Sequence, residues 1–137
     1  MRNVFKNLFA DGHIESFEKV TLRTSGMRQF CEYEIVPSGD ESDVVMYEIF
    51  HRDGEEVRKE ALRAVCPTER MIGILNECKV LSWDGFDGPH PKGVLDGEMF
   101  SFEATVNGGK KIRATGSQNF PKHYWEFKKA VWEILNS

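Results

Sequence analysis

At 137 residues, 40% hydrophobic and 29% charged, the chain has enough apolar surface to offset the entropy of ordering it, which excludes a disordered class and predicts one domain over 1–137. A formal net charge of −4, with acids interleaved among bases as in Glu55-Glu56-Val57-Arg58-Lys59-Glu60, argues against general phosphate binding, so no nucleic-acid partner is expected. The cysteines Cys31, Cys66 and Cys78 are odd in number and lack C-x-x-C spacing, which fits a reducing compartment and neither a disulfide framework nor a zinc knuckle.

The first thirteen residues are assigned no element. Their apolar positions are interrupted by Lys6, Asn7 and Asp11, too short a run for a signal peptide, and nothing approaches the ~18 consecutive apolar residues of a membrane span. A cytoplasmic location with no membrane partner is expected.

Phe17 to Thr24 and Gln29 to Val36 read as a hairpin turning near Ser25-Gly26, with Val20, Leu22, Cys31, Tyr33 and Ile35 as its apolar positions. Residues 37–42, Pro-Ser-Gly-Asp-Glu-Ser, read as a polar connector. A second hairpin is predicted about a three-residue turn, Arg52-Asp53-Gly54, pairing Ile49 with Val57 and Val45 with Ala61. Its inner face would be Val45, Tyr47, Ile49, Val57, Ala61 and Val65, and Glu48 would pair with Arg58 outside. Lys59 would face inward opposite Tyr47 and run its methylene stem over the ring. After Pro67 and Thr68, Met71, Ile74, Leu75 and Cys78 follow helical spacing.

In the last hairpin Phe100, Phe102, Ala104 and Val106 alternate with polar residues. Only a three-residue loop keeps one face apolar, pairing Val106 with Lys110, Ala104 with Ile112 and Phe102 with Ala114. A type I turn closed by a left-handed residue would need the glycine found at Gly109. Beyond Pro121, Tyr124, Phe127, Val131, Ile134 and Leu135 form one helical stripe bordered by Trp125 and Trp132, and homo-oligomerisation through the helix of 121–136 is a partner expectation.

The tyrosine-to-proline and phenylalanine-to-proline spacings of the last two hairpin–helix segments, 20 and 19 residues, differ by one, which reads as a duplicated ββα unit over about 44–81 and 98–136. The predicted fold is α+β: an antiparallel sheet of about six strands in hairpins, with two helices on one face.

Chemistry is sought in the segment 83–97, which lacks helix or strand periodicity and exceeds the usual connection of about 4–6 residues. Trp83 and Phe86 would anchor a protein partner or small ligand, with Asp84, Asp87, His90, Lys92 and Asp96 as the polar rim. The same aspartates and His90 could instead hold a divalent cation, yet they do not follow a calcium-loop pattern, so neither metal nor cofactor is assigned. A hydrolytic reading would set His90 beside Cys31, Cys66 or Ser117, but no nucleophile elbow or cysteine-protease signature accompanies it. No catalytic residue is assigned, and a non-enzymatic binding module is expected; the alternative is a metal-dependent or hydrolytic enzyme on that loop. Ser117 and Asn119, ahead of the second helix, are either its caps or a secondary anion site.

The motifs Trp83-Asp84-Gly85-Phe86, Gly93-Val94-Leu95-Asp96-Gly97 leading into Phe100, Ala114-Thr115-Gly116-Ser117 and Phe120-Pro121 resemble those of small bacterial proteins of the gut Firmicutes type. The resemblance covers roughly the carboxy-terminal half and implies a stand-alone bacterial domain. No activity, cofactor or catalytic residue is established for those proteins, so it carries none over.

Overall fold

The computed structural model describes residues 12–26, 29–94 and 97–137. Among them, seven strands form one sheet: β1 (Phe17–Ser25), β2 (Phe30–Ser38), β3 (Glu41–Arg52), β4 (Glu55–Pro67), β5 (Asp87–Gly88), β6 (Met99–Val106) and β7 (Lys110–Ser117). Their order across the sheet is β4-β3-β2-β1-β6-β7-β5, antiparallel at every step except β5 on β7. The helices are α1 (Thr68–Glu77) and α2 (Tyr124–Leu135), and a 3-10 turn spans Val80–Trp83. The chain is thus α+β with a mostly antiparallel sheet. The expected count of six strands rises to seven because Asp87–Gly88, read as loop, lies along Thr115 and Gly116. None of the helices among the described residues is long and apolar enough to cross a membrane.

Alternation sorts the sheet into two faces. Val20 and Leu22 of β1, Ile35 of β2, Phe102 and Ala104 of β6, and Ile112 of β7 share one face and register with one another. They enter a single core with Met71 and Leu75 of α1 and with Tyr124, Phe127, Val131 and Ile134 of α2. The helical stripes therefore pack as their spacing predicts, while Trp125 and Trp132 stay 53% and 48% exposed. Each large side chain removed from water in this way contributes about 2 kcal/mol.

The β6–β7 register matches expectation, with Val106 opposite Lys110, Ala104 opposite Ile112 and Phe102 opposite Ala114. The turn itself differs. Asn107 and Gly108 both have positive φ, 51° and 80°, so the chain reverses through left-handed residues, a twist that matches the strands better than a type I turn does. Asn107 also pins the entering chain. Its Oδ1 accepts from Glu15 N at 2.7 Å, its Nδ2 donates to the His13 carbonyl at 3.0 Å, and its own N–H donates to the Ser16 carbonyl at 2.9 Å.

The β3–β4 hairpin corrects its predicted register. The loop has two residues, Asp53 and Gly54, at φ 55° and 80°, the left-handed pair that a type I′ turn requires, and Arg52 pairs with Glu55 inside the ladder. Ile49 therefore meets Arg58, not Val57, and Glu48 meets Lys59, not Arg58. A bulge between Met46 and Tyr47 leaves Ala61 without an opposite residue, so Val45 meets Arg63. One step of register exchanges the faces. Val44 and Cys66 enter the core with Met46, Leu62 and Ala64 against it, whereas Val65 is 53% exposed and Lys59 lies in solvent opposite Glu48. Val45 and Ile49 are buried too, but on the other face, which Val45 shares with Glu34 and Tyr47 with Glu32.

On that second face Glu32 is buried between two arginines. Arg58 Nη1 donates to Glu32 Oε2, and Arg23 Nε lies 3.1 Å from Glu32 Oε1, though out of line for a hydrogen bond. The guanidinium of Arg58 stacks 4.1 Å over the Tyr47 ring, that of Arg23 5.0 Å over Phe30, and Arg23 reaches Glu56 at 2.6 Å. The rings support the two guanidinium groups, whose side chains stay 34% and 40% accessible, while Glu32 between them is largely withdrawn from water.

The polar stretch 37–42 is also tighter than a connector, since Ser38 pairs with Glu41 across Gly39 and Asp40. Thr68 ties the start of α1 to this turn: its N–H donates to the Asp40 carbonyl at 2.8 Å and its hydroxyl to the Gly39 carbonyl at 3.0 Å. That leaves the Ser42 hydroxyl to donate to Thr68 Oγ1 at 2.8 Å.

Candidate functional site

The segment 83–97 is anchored in the core at its start, while most of its described residues are exposed. Trp83 ends the 3-10 turn fully buried, edge-on to Phe102 and Phe127, and its indole N–H donates to the Lys122 carbonyl at 2.9 Å. It is a core residue, which corrects its expected role as a displayed anchor. Asp84 Oδ1 accepts from Arg113 N at 3.0 Å and so docks the turn on β7. Phe86 is half-buried beside Phe100, Asp87 is an exposed residue of β5, and Lys92 is exposed. Asp96 lies outside the described residues. Among those described, no three histidine, cysteine or carboxylate side chains gather as a metal site would require.

His90 has the most specific partners in the loop. Its Nε2 faces the Val94 carbonyl, which can only accept, so Nε2 carries the proton. Its Nδ1 lies within hydrogen-bond distance of the Ser117 hydroxyl, at 2.8 Å. Ser117 belongs to β7 and Asn119 donates Nδ2 to the Pro89 carbonyl at 3.4 Å, several residues ahead of α2. Neither caps that helix, which begins after His123 at φ 70° without a side-chain cap. The capping expectation is thereby corrected.

Polar groups do converge in the neighbouring part of the fold. A cavity of about 410 Å³ opens where β1 ends and β2 begins, lined by Thr24, Ser25, Gly26, Gln29, Cys31, Tyr33, Glu98 and Lys128. Cys31 and Tyr33 belong to the helix-facing side of β2, beyond the apolar stretch that Ile35 begins. Lys128 and Tyr124 stand one turn apart on α2, so both reach the same point. There Glu98 Oε2 accepts from Lys128 Nζ at 3.1 Å and from the Tyr124 hydroxyl at 3.4 Å.

Glu98 is held by its backbone. Its N–H donates to Gln118 Oε1 at 2.7 Å, and Gln118 N–H donates to the Glu98 carbonyl at 2.7 Å. The clasp needs close approach: a Cβ on Gly97 would lie 2.2 Å from Gln118 Oε1, and one on Gly116 2.0 Å from the Asn119 carbonyl oxygen. Gln118 itself sits at φ 51°. The glycines at 97 and 116 thus serve the packing that aims Glu98 into the cavity.

The cavity's weak acids are held in their neutral forms. Burial raises the Cys31 thiol above its usual range, Glu48 and Glu98 add to this, and Lys128 opposes it. Burial raises the Tyr33 phenol as well, helped by Cys31 and Glu98, and burial with Glu98 raises Tyr124. At neutral pH the walls therefore present a thiol, the Tyr33 phenol, hydroxyls and an amide around the Glu98–Lys128 pair, with Tyr124 buried behind Glu98. A smaller cavity of about 190 Å³ lies against Arg23, Phe30, Met99 and Ser101.

Sequence reasoning missed Glu98, Lys128, Cys31 and Tyr33 as a group. The available signal was the Tyr124–Lys128 spacing together with two polar-capable residues closing an otherwise apolar strand face. No protein-family model, no curated protein and no solved structure matches this chain.

Proposed function

We propose that the chain is a non-catalytic binding module that takes a small polar ligand in the cavity between Glu98, Lys128 and the end of the β1–β2 hairpin. The observation that carries this reading is convergence: eight residues from three separate parts of the chain line one opening of about 410 Å³, within the range of small-ligand sites. The 83–97 loop, the expected interface, has Trp83 in the core and Asp84 on a backbone amide, which favours the cavity over the loop. Amide chemical-shift mapping on the 15N-labelled chain with a panel of small polar probes tests it. Shifts confined to Gln29–Tyr33, Glu98, Gln118 and Tyr124–Lys128 are expected. A panel that leaves these amides unmoved at millimolar concentration overturns the reading.

A hydrolytic reading has one observation in its favour, the Ser117 hydroxyl aimed at His90 Nδ1 at 2.8 Å. Among the described residues the imidazole Nε2 faces the Val94 carbonyl and no carboxylate, the group that would orient a histidine base for a serine nucleophile. The binding reading expects no covalent labelling of Ser117 by a fluorophosphonate, and stoichiometric labelling would replace it. The same proposal takes 1–137 as one bacterial domain built from a duplicated ββα unit, supported by the two hairpin–helix segments, β3–β4–α1 and β6–β7–α2.

A further inference from the structure

Resting on the binding reading above, we infer that the cavity's ligand is a small zwitterion of the α-amino-acid type, its ammonium group placed on Glu98 and its carboxylate on Lys128. The argument starts from how the pair is left. Glu98 spends Oε2 on both Lys128 and Tyr124, and no donor among the described residues is bonded to its Oε1. Lys128 has three donors and spends one on Glu98. Each group therefore keeps hydrogen-bonding capacity for one more charged partner, with the Lys128 ammonium also 5.2 Å from the centroid of the Trp125 ring.

Adjacent opposite charges select against ligands bearing one charge. An anion that approaches Lys128 also meets Glu98, and a cation that approaches Glu98 also meets Lys128. A molecule with ammonium and carboxylate on one carbon meets each with its opposite and leaves no charge unpaired, which is the condition for holding charges away from water. The pair is partly solvent-exposed, with side chains 21% and 29% accessible, so little is lost when it loosens to admit the ligand.

The rest of the lining suits a polar substituent on that carbon. Thr24, Ser25, Gln29 and the neutral Tyr33 phenol can each donate and accept, while Cys31 adds a small, weakly polar patch. A cavity of about 410 Å³ is at the small end for ligand sites, which fits a single amino acid and not a long peptide. Glu48, whose charge is felt at Cys31, adds a second negative field beside Glu98. Of the two half-ligands, the ammonium bearer should therefore bind the better.

Titration of the full chain by calorimetry, with amide mapping alongside, tests the inference using L-serine and L-glutamine, their methyl esters, their N-acetyl derivatives, and glucose as an uncharged polar probe. The free amino acids should bind at least tenfold tighter than the esters, and the esters tighter than the N-acetyl forms. Lys128→Met, which keeps the aliphatic stem, should bring each amino acid down to the affinity of its ester. The wild-type series decides even where that variant does not fold. Glucose binding as well as the amino acids, with shifts at the same amides, overturns the ligand class and leaves the binding module standing. Failure of every probe to move those amides overturns both.

Discussion

Gln118 and Glu98 hold each other twice, each backbone N–H donating to an oxygen of the other residue at 2.7 Å. Because Gln118 achieves this at φ 51°, its neighbours must lie close, and the glycines around it become testable. Gly116→Ala would drive a methyl group to 2.0 Å from the Asn119 carbonyl oxygen and 2.6 Å from the Phe100 ring. Overpacking of this kind costs about 1–3 kcal/mol. Gly73→Ala is the opposite case: it lies in α1 with nothing within 4 Å of the added Cβ. It should stabilise by about 0.5–1 kcal/mol through helix propensity. Urea denaturation midpoints should move in opposite directions for the two.

Trp83 should dominate both stability and spectroscopy. Trp83→Ala empties a fully buried site and should cost about 3–5 kcal/mol. Trp83→Phe keeps an aromatic ring but strands the Lys122 carbonyl, which adds about 1–3 kcal/mol to the loss of volume. In fluorescence, Trp83→Phe should remove the blue-shifted, acrylamide-resistant emission, leaving the half-exposed Trp125 and Trp132. If the resistant component persisted in that variant, Trp83 would not be the core tryptophan.

Stability should fall on the alkaline side. Burial pushes the Cys78 thiol from its usual 9.0 up to about 11, with Glu126 and Glu77 adding, and burial raises Tyr124 in the same direction. A group that binds its proton more tightly when folded contributes fully below its unfolded pKa and loses that contribution as pH rises through the folded one. For Cys78 the window runs from pH 9 to about 11, at about 1.4 kcal/mol per unit. Cys78→Ala should flatten the dependence of the melting midpoint on pH across that window. An unchanged slope would show that the thiol titrates alike in both states.

The second face of the sheet should show coupling between Arg58 and Glu32. Removing Arg58 alone leaves a buried carboxylate with only Arg23 beside it, so Arg58→Met should cost about 1–3 kcal/mol. Adding Glu32→Gln should recover part of this, with an interaction term on the order of 0.5–3 kcal/mol in a double-mutant cycle. Strictly additive effects would mean that the ring stacking on Tyr47, not the ion pair, holds Arg58 in place.

Legibility in the sequence followed the clarity of each strand's pattern. β6 alternates without exception from Phe100 to Val106, and its partner could be registered to the residue. β3 is apolar on both faces, with Val44, Val45, Met46, Tyr47, Ile49 and Phe50, so parity did not choose between them. The Asp53-Gly54 pair did carry the right turn, but the bulge at Ala61, six residues into β4 from Glu55, has no comparable sequence mark. The helices were legible because their stripes are wide and each follows a proline. Trp83 was misread because a tryptophan beside a glycine-rich stretch looks the same whether it faces a partner or the core. The cavity is assembled from Thr24–Gly26, Gln29, Cys31, Tyr33, Glu98 and Lys128, which only the folded sheet brings together, so the Tyr124–Lys128 spacing marks a helix face without announcing its partners.

The Asn107 pin and the cavity mouth lie at opposite ends of β1, a nine-residue strand spanning roughly 25 Å. All three native thiols are buried, so a cysteine introduced at the exposed position 13 would be the preferred target of a maleimide dye or an activated bead. Immobilised there, the protein would present its opening to bulk solution, and a surface-based affinity measurement would read ligand entry without interference from the attachment.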